Sequence, residues 1–160
     1  MTTIEQILKD KINEKGPISV EEYMDTCLYH EQHGYYMSQA PFGQKGDFTT
    51  APEISQIYGE MIGAWVADTW IKMGKPNAWQ LLEAGPGNGT LMKDILRTLE
   101  HALPECYASA SITLLEISPM LKIKQRETLE NHHVCWAHSL DDICFEKPTI
   151  AVGNELLDAF

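Results

Sequence analysis

Apolar residues follow two different patterns along the chain, and the pattern changes near residue 75. Before it they recur at helical spacing, over residues 4–13, from Ser19 onward and over 54–70. After it, short runs rich in Val, Ile and Leu stand at residues 79–83, 112–117, 133–136 and 149–153, and helical patterns at 91–101 and 120–130 separate the first three. This alternation predicts β-α-β units in a parallel sheet, with a helical segment over residues 1–75 and an α/β domain over 76–160.

The helical segment carries its own start signals. The first helix presents one apolar face, and the second, with Ser19 and Glu22 as a capping box, directs Tyr23, Cys27 and Leu28 inward. Residues 30–48 are predicted to be loop, because they are rich in glycine and aromatic side chains.

A third helix begins at a second capping box, formed by Thr50 and Glu53, with Pro52 inside its first turn. Its apolar positions from Ile54 to Trp70 form a broad face. We expect that face to pack in the core.

Composition narrows the class of protein. The apolar fraction is 44%, which is ordinary for a globular fold, and no apolar run reaches the roughly 18 residues of a membrane span. The first residues mix acids with lysines and resemble no targeting signal, so the expected location is the bacterial cytoplasm, or the mitochondrial matrix if a transit peptide has been removed. The four cysteines are far apart in sequence, which favours free thiols in a reducing compartment.

Charge and metal ligands exclude further classes. The formal net charge of −11 argues against a nucleic-acid partner, which needs clustered Lys and Arg, but it is compatible with a basic protein substrate. His30, Glu31 and His33 have metal-like spacing. Two histidines without a third ligand are a weak signal, so no metal site is predicted.

The strongest chemical signal follows the first strand. The run from Leu81 to Thr90 leads from an apolar strand through Glu83 into G-x-G-x-G (Gly85, Gly87, Gly89) and then into a helix. Glycines let the backbone turn tightly and approach a ligand, and the helix N-terminus offers unpaired N–H groups. No G-K-[ST] follows, so the loop is not a P-loop.

The acid at the end of this strand separates two classes of cofactor. A carboxylate at Glu83 would not help to bind a pyrophosphate, but it would attract a cofactor that carries an ammonium group and a sulfonium. The alternative is an ordinary glycine turn in which Asn88 caps the helix.

The second and fourth strands also end in polar residues. Glu116 follows the second, where an acid can accept both hydroxyls of a ribose, and Ser118 then starts a helix. Asn154 and Glu155 follow the fourth, at the edge where α/β proteins bind ligands. The alternatives are a solvated charge at Glu116, and a helix cap with first-turn acids at residues 154–158.

These segments together resemble the MidA-type methyltransferases. The resemblance rests on four ordered motifs over residues 46–55, 83–90, 116–119 and 153–159, and it extends from about residue 18 to the end of the sequence. It implies a Rossmann-like class I methyltransferase fold with S-adenosylmethionine as cofactor, bound through Glu83, Gly85, Gly87, Gly89, Glu116, Ser118, Asn154 and, in a loop that could cover the cofactor, Asp47.

The resemblance also implies an activity. Mitochondrial members of the family methylate an arginine of a respiratory complex I subunit and so assist its assembly, which implies a protein arginine as the acceptor here. Glu155 and Asp158 are the carboxylates expected to orient the guanidinium and take its proton. The rival hypotheses are a non-catalytic scaffold that binds cofactor or partner, and a nucleotide-dependent oxidoreductase.

Family members are longer than this sequence. Their sheet has seven strands in the order 3-2-1-4-5-7-6, of which only the first four are expected here. We therefore expect the fourth strand to present an unpaired apolar edge, and the 160-residue chain alone to be poorly stable, self-associating and inactive. The sequence is also compatible with a homo-oligomer.

Overall fold

The computed structural model describes residues 3–38 and 49–157. The described helices are α1 (Ile4–Lys15), α2 (Val20–Tyr29), α3 (Tyr35–Ser38), α4 (Ala51–Ile54), α5 (Gln56–Lys72), α6 (Thr90–Ala102), α7 (Pro104–Ser109) and α8 (Pro119–Thr128). The strands are β1 (Trp79–Ala84), β2 (Ala110–Leu115), β3 (Val134–Ala137) and β4 (Thr149–Val152), and a 3₁₀ turn over Leu140–Asp142 precedes β4.

The four strands form one parallel sheet in the order β3-β2-β1-β4. In the centre, Leu82 of β1 lies opposite Thr113 of β2 and Ala151 of β4. This order is that of the first four strands of the class I methyltransferase sheet, so the predicted α/β fold class is confirmed. Because all strands are parallel, the residues that follow them leave the sheet at one edge.

The predicted strands are confirmed with small shifts in their bounds. The largest shift is at β2, which was predicted over 112–117 and spans Ala110–Leu115. Ala110 and Ser111 are not strongly apolar, so the pattern omitted them. Glu116 still donates its backbone N–H to Ala137 O at 3.1 Å, but its side chain turns back toward Ser118.

One face of the sheet carries most of the core. Trp79 and Leu81 of β1 and Leu114 of β2 are buried there against α5, α6 and α7. The Trp79 indole Nε1 donates to Cys106 O at 3.0 Å, which ties β1 to α7. Val66 and Trp70 of α5 belong to the same core, while the predicted division near residue 75 stays a prediction.

Two glycines bring α5 against α6. A Cβ at Gly59 would lie 2.5 Å from Asp94 Cβ, and one at Gly63 would lie 2.8 Å from Thr98 Cβ. Side chains at these positions would therefore force the helices apart. The contact fixes α6, whose first residue follows the glycine loop.

The opposite face of the sheet has a smaller apolar cluster, formed by Leu82, Ala137 and Ile143 with Leu115 against it. Beside it lies a polar chain, in which Gln80 Nε2 donates to Thr113 Oγ1 at 3.0 Å and Thr149 Oγ1 donates to Gln80 Oε1 at 3.3 Å. Both β1 faces are buried, as the unalternating run predicted.

Three predictions for the helical segment need correction. The third predicted helix is two helices, because Ser55 has an extended backbone (φ −148°, ψ 121°) between α4 and α5. The capping box at Thr50 does not form, since the Thr50 side chain makes no cap hydrogen bond and Glu53 turns toward the glycine loop. The predicted loop over 30–48 contains the short helix α3.

Burial in this segment is also less than predicted. Tyr23 of α2 is exposed, although it was expected to point inward, and Thr26 is the buried residue of that helix. The apolar face of the third helix was expected to pack in the core, yet four of its side chains are 52–72% exposed: Ile54, Ile57, Met61 and Trp65. The buried positions of α5 are Gly59, Gly63, Val66 and Trp70, and the two glycines lie against α6.

Among the helices of residues 3–38 and 49–157, none combines the length and apolar character that a membrane span requires. All four cysteines are free thiols, and burial raises the pKa of the Cys106 thiol to about 11.

Candidate functional site

The glycine loop between β1 and α6 has a left-handed backbone at three positions. Gly85, Gly87 and Gly89 have φ of +64°, +54° and +81°. Side chains would be strained there, and a Cβ on Gly85 would in addition lie 2.7 Å from Leu156 Cδ1. The structure thus gives the predicted G-x-G-x-G spacing a geometric reason. Gly89 rather than Asn88 is the N-cap of α6, so the alternative of a simple Asn88 cap is wrong.

A cavity of about 360 Å³ lies beside this loop at the carboxyl edge of the sheet. Residues that follow all four strands line it, together with residues of α2, α3 and α4. Of the predicted site residues, the lining includes Glu83, Gly85, Gly87, Glu116, Asn154 and Glu155. Gly89 and Ser118 lie outside the lining, and Asp47 and Asp158 lie outside the described residues.

Glu83 is buried in the cavity wall with one oxygen unpaired. Its side chain is 2% exposed, and Oε2 has no hydrogen-bond partner. Burial raises the pKa of Glu83 to about 8; the backbone N–H of Met92, in the first turn of α6, opposes the rise, and the charge of Glu116 adds to it. An unpaired buried acceptor is unfavourable unless a donor or cation reaches it.

Glu116, in contrast, has a donor on each oxygen. Ser118 N donates to Oε1 at 2.8 Å, and Gln125 Nε2 donates to Oε2 at 2.9 Å. Burial raises the pKa of Glu116, while these donors and the Lys122 charge oppose the rise. The structure does not favour the alternative of a solvated surface charge, because the residue is 6% exposed.

Ser118 supports the site from behind. It is fully buried at the N-cap of α8, where its Oγ accepts from Leu121 N and donates to Tyr36 O at 2.7 Å. Tyr36 stacks on Tyr29 with ring centroids 5.7 Å apart, and both rings line the cavity. The hydroxyl of Ser118 therefore holds the helical segment against α8.

Asn154 and Glu155 enter the cavity after β4. Asn154 Oδ1 accepts from Tyr58 OH at 2.8 Å, and this hydrogen bond links the segment after β4 to α5. Glu155 has φ +50°, a left-handed backbone that a non-glycine residue rarely adopts, which marks a local strain of the kind that clusters at functional sites.

Sequence reasoning missed Glu53 as a site residue. Its Oε1 accepts from Thr90 Oγ1 at 2.7 Å and from Asn88 Nδ2 at 3.2 Å, so α4 holds the glycine loop and the start of α6. In the sequence, Glu53 stood out as half of a capping box and as part of the motif over residues 46–55, with no site role assigned to it. Neither pattern indicated a contact more than thirty positions away.

The end of β3 was also missed. His138, Ser139 and Leu140 line the cavity, and Asp142 Oδ2 shapes their turn by accepting from His138 N at 3.0 Å and Ser139 N at 2.9 Å. These donors lower the pKa of Asp142. In sequence, this stretch carried no glycine or strand-end acid to mark it.

The histidines considered as metal ligands contact each other. The rings of His30 and His33 stack with centroids 5.3 Å apart. Within the described part of the chain, no group of three His, Cys, Asp or Glu side chains could hold a metal ion.

Comparison with known proteins identifies relatives over most of the chain. It is 44% identical over 131 residues to the protein arginine methyltransferase NDUFAF7 homolog, mitochondrial, of Drosophila melanogaster, covering 82% of this chain and 28% of that protein. It is 46% identical over 127 residues to the human protein arginine methyltransferase NDUFAF7, mitochondrial, covering 78% of this chain and 28% of that one. The chain thus spans less than a third of the length of these two relatives.

Solved structures give the same answer for the fold. A protein of Burkholderia thailandensis, crystallised with S-adenosyl-homocysteine bound, superposes with a TM-score of 0.81 at 30% identity, over 96% of this chain and 41% of that one. Residues 61–160 match the family model described as "Putative S-adenosyl-L-methionine-dependent methyltransferase". With its parallel sheet, glycine loop and paired carboxylates, the chain belongs to this S-adenosyl-L-methionine-dependent methyltransferase family.

Proposed function

We propose that the cavity binds S-adenosyl-L-methionine and that the protein transfers its methyl group to a protein arginine. The observation that carries the proposal is the buried, unpaired Oε2 of Glu83 in the cavity wall. That atom needs a donor or a cation, and the amino group of this cofactor supplies both. The named relatives, which are arginine methyltransferases, support the same choice of acceptor.

Different residues of the cavity are proposed to bind different parts of the cofactor. Glu83 takes the ammonium group, Gly85 and Gly87 allow the backbone to approach the amino-acid portion, and Glu116 accepts the ribose hydroxyls. Gly89 sets the turn into α6 rather than contacting the ligand, and Ser118 acts through Tyr36 and Glu116. Asp47 and Asp158 keep their proposed roles as cofactor and acceptor residues.

When bound, the cofactor would supply an electrophilic methyl group on its sulfonium; an N–C bond to the acceptor would form as the C–S bond breaks and S-adenosylhomocysteine leaves. The chain has little chemistry to add beyond positioning. An arginine guanidinium has a pKa above about 12, so a carboxylate must orient it and take its proton. We assign this role to Glu155, which lines the cavity beside Asn154, whose Oδ1 accepts from Tyr58 OH.

Two measurements test the proposal. Calorimetry should detect S-adenosylhomocysteine binding and no NAD binding; the reverse result would indicate the oxidoreductase, and binding of neither would indicate the scaffold. In the active protein, Glu155→Gln should keep its affinity for S-adenosylhomocysteine and lose most methyl transfer. Unchanged turnover in that variant would place the acceptor site elsewhere.

The proposal extends to the cellular compartment in which the reaction takes place. The relatives named above are mitochondrial proteins, and we propose that this chain acts either in the mitochondrial matrix or in a bacterial cytoplasm, on a protein substrate linked to respiratory complex assembly. Fractionation of the source cell separates the two compartments.

A further inference from the structure

Gln125 lies where three parts of the candidate site meet. It is in the middle of α8 and fully buried, with a relative exposure of 0%. Its Nε2 donates to Gly87 O at 2.8 Å and to Glu116 Oε2 at 2.9 Å, and its Oε1 accepts from Trp136 Nε1 at 2.9 Å. One amide therefore joins the glycine loop, the acid after β2 and an aromatic side chain of β3.

The orientation of this amide is fixed by chemistry. An indole N–H can only donate, so the oxygen of Gln125 must face Trp136. The NH₂ group then faces Gly87 O and the Glu116 carboxylate, which can both accept. Both N–H bonds of the amide are used, and the opposite orientation would place donors against Trp136 and acceptors against acceptors.

This arrangement leaves Glu116 available to a ligand. Ser118 N donates to Oε1, Gln125 Nε2 donates to Oε2, and the backbone N–H of Ile117 also hydrogen-bonds to the carboxylate. A carboxylate has about four lone-pair sites, so Glu116 keeps acceptor capacity for the cavity. The backbone of Gly87, held by the same amide, lies in the wall of that cavity.

We propose that Gln125 is a positioning residue, which aims the Glu116 carboxylate at the ribose and holds the backbone of the glycine loop beside it. The inference rests on the proposed cofactor site and adds a residue that does not contact the ligand. A hydrogen bond donated to the charged form of an acid favours that form. Removal of the amide should therefore change the titration of Glu116 as well as ligand affinity.

The first test is a titration of Glu116 by carbon NMR in the protein without ligand. In Gln125→Met, which keeps a similar volume, the pKa of Glu116 should rise by roughly one to two pH units. The matched control is Gln80→Met, a buried glutamine of the opposite sheet face, which should leave the pKa of Glu116 unchanged. An unchanged pKa in Gln125→Met would overturn the inference.

The second test separates positioning from general packing. Gln125→Met should weaken S-adenosylhomocysteine binding by roughly tenfold, while affinity for the 2′,3′-dideoxy analogue, which lacks the ribose hydroxyls, should change much less. Equal losses for both ligands would show that Gln125 only stabilises the fold. If the wild-type protein binds neither ligand, the proposed function fails, and the titration alone decides whether Gln125 holds Glu116.

A second variant covers the case in which Gln125→Met does not fold. Trp136→Phe removes only the donor to Gln125 Oε1 and leaves the amide free to rotate. It should raise the pKa of Glu116 in the same direction by a smaller amount. No change in a folded Trp136→Phe variant would remove the argument that the indole sets the amide orientation.

Discussion

The ends of β1 and β2 bring one carboxylate each into the same cavity, but the two are held in opposite ways. Glu83 is 2% exposed, and its Oε2 has no partner. Glu116 is 6% exposed, and both its oxygens accept hydrogen bonds from the protein. The two carboxylates line the same cavity but differ in how many of their oxygens have hydrogen-bond partners in the protein.

The difference indicates which part of a ligand each acid is suited to. A buried carboxylate without enough donors is more stable when protonated, and it becomes ionised when a cation arrives. A carboxylate with donors on both oxygens holds its geometry before the ligand binds, which lowers the cost of ordering. We therefore propose that Glu83 binds the charged end of the cofactor and that Glu116 binds the neutral ribose hydroxyls.

We expect the largest loss of cofactor affinity from a change in the glycine loop, because the loop lies beside both acids. Gly87→Val puts a β-branched residue at φ +54° and should cost on the order of 1–3 kcal/mol in backbone strain, besides filling space beside the ligand. We expect S-adenosylmethionine affinity to collapse while helical content stays near wild type, as measured by calorimetry and circular dichroism. Unchanged affinity would show that the loop does not bind the cofactor.

The unpaired acid should make stability depend on pH. The pKa of Glu83 is about 8 in the folded chain, against 4.5 as its ordinary value. Between these values the folded state holds a proton that the unfolded state has released, so stability falls as pH rises, by at most about 1.4 kcal/mol per pH unit. Glu83→Gln should flatten this fall in chemical denaturation at pH 5 to 8, whereas Glu5→Gln on exposed α1 should not. Parallel curves for wild type and Glu83→Gln would contradict the assignment.

The same acid should link ligand affinity to pH. A bound ammonium favours the ionised carboxylate, so binding releases a proton from Glu83 below about pH 8. S-adenosylhomocysteine affinity should therefore rise between pH 6 and 8, by up to about tenfold per pH unit, and Glu83→Gln should lose most of that rise. Calorimetry in two buffers of different ionisation enthalpy measures the released proton. A pH-independent wild-type affinity would show that the ammonium binds elsewhere.

The two acids could be predicted from sequence, whereas their different surroundings could not. Each stands at the end of a short apolar run that predicts a strand, and parallel strands end at the same side of a sheet, so Glu83 and Glu116 were expected on that side. Their hydrogen-bond partners come from other elements, and the partner of Glu116 Oε2 is a glutamine nine positions later with no motif around it.

The helical segment was harder to predict for a related reason. Apolar spacing from Ile54 to Trp70 indicated helix on both sides of Ser55 but not the break at that residue, and the period alone does not say which neighbour covers a face. In the structure, glycines of α5 make the close contact with α6, and Met61 and Trp65 on another side are exposed. The capping box predicted at Thr50 does not form, because the Glu53 side chain instead makes tertiary hydrogen bonds, accepting from Thr90 and Asn88.

Glu116, whose oxygens both have protein donors, should bind the ribose hydroxyls, and its contribution to affinity should depend less on pH than that of Glu83. Glu116→Ala removes both acceptors and should weaken S-adenosylhomocysteine binding by roughly 1.5–3 kcal/mol per lost hydrogen bond. Glu116→Gln should cost less, because it keeps one acceptor, although its NH₂ group would meet Ser118 N–H or the Gln125 amide. Normal affinity in both variants would mean that Glu116 serves only to anchor α8.

A third carboxylate, Glu53, should have the smallest effect, because it holds the loop and belongs to neither strand end. Glu53→Ala removes the acceptor for Thr90 and Asn88, so the loop loses its contact with α4, and we expect this indirect effect to weaken ligand binding less than Glu116→Ala does. Glu53→Gln keeps an acceptor oxygen and should fall between wild type and Glu53→Ala in S-adenosylhomocysteine affinity. Glu60→Ala, which removes an ion pair between α5 and Arg97 of α6, is the matched control and should leave that affinity unchanged. If Glu60→Ala weakens binding as much as Glu53→Ala, the packing of α5 on α6 sets the loop, and the contact of Glu53 is incidental.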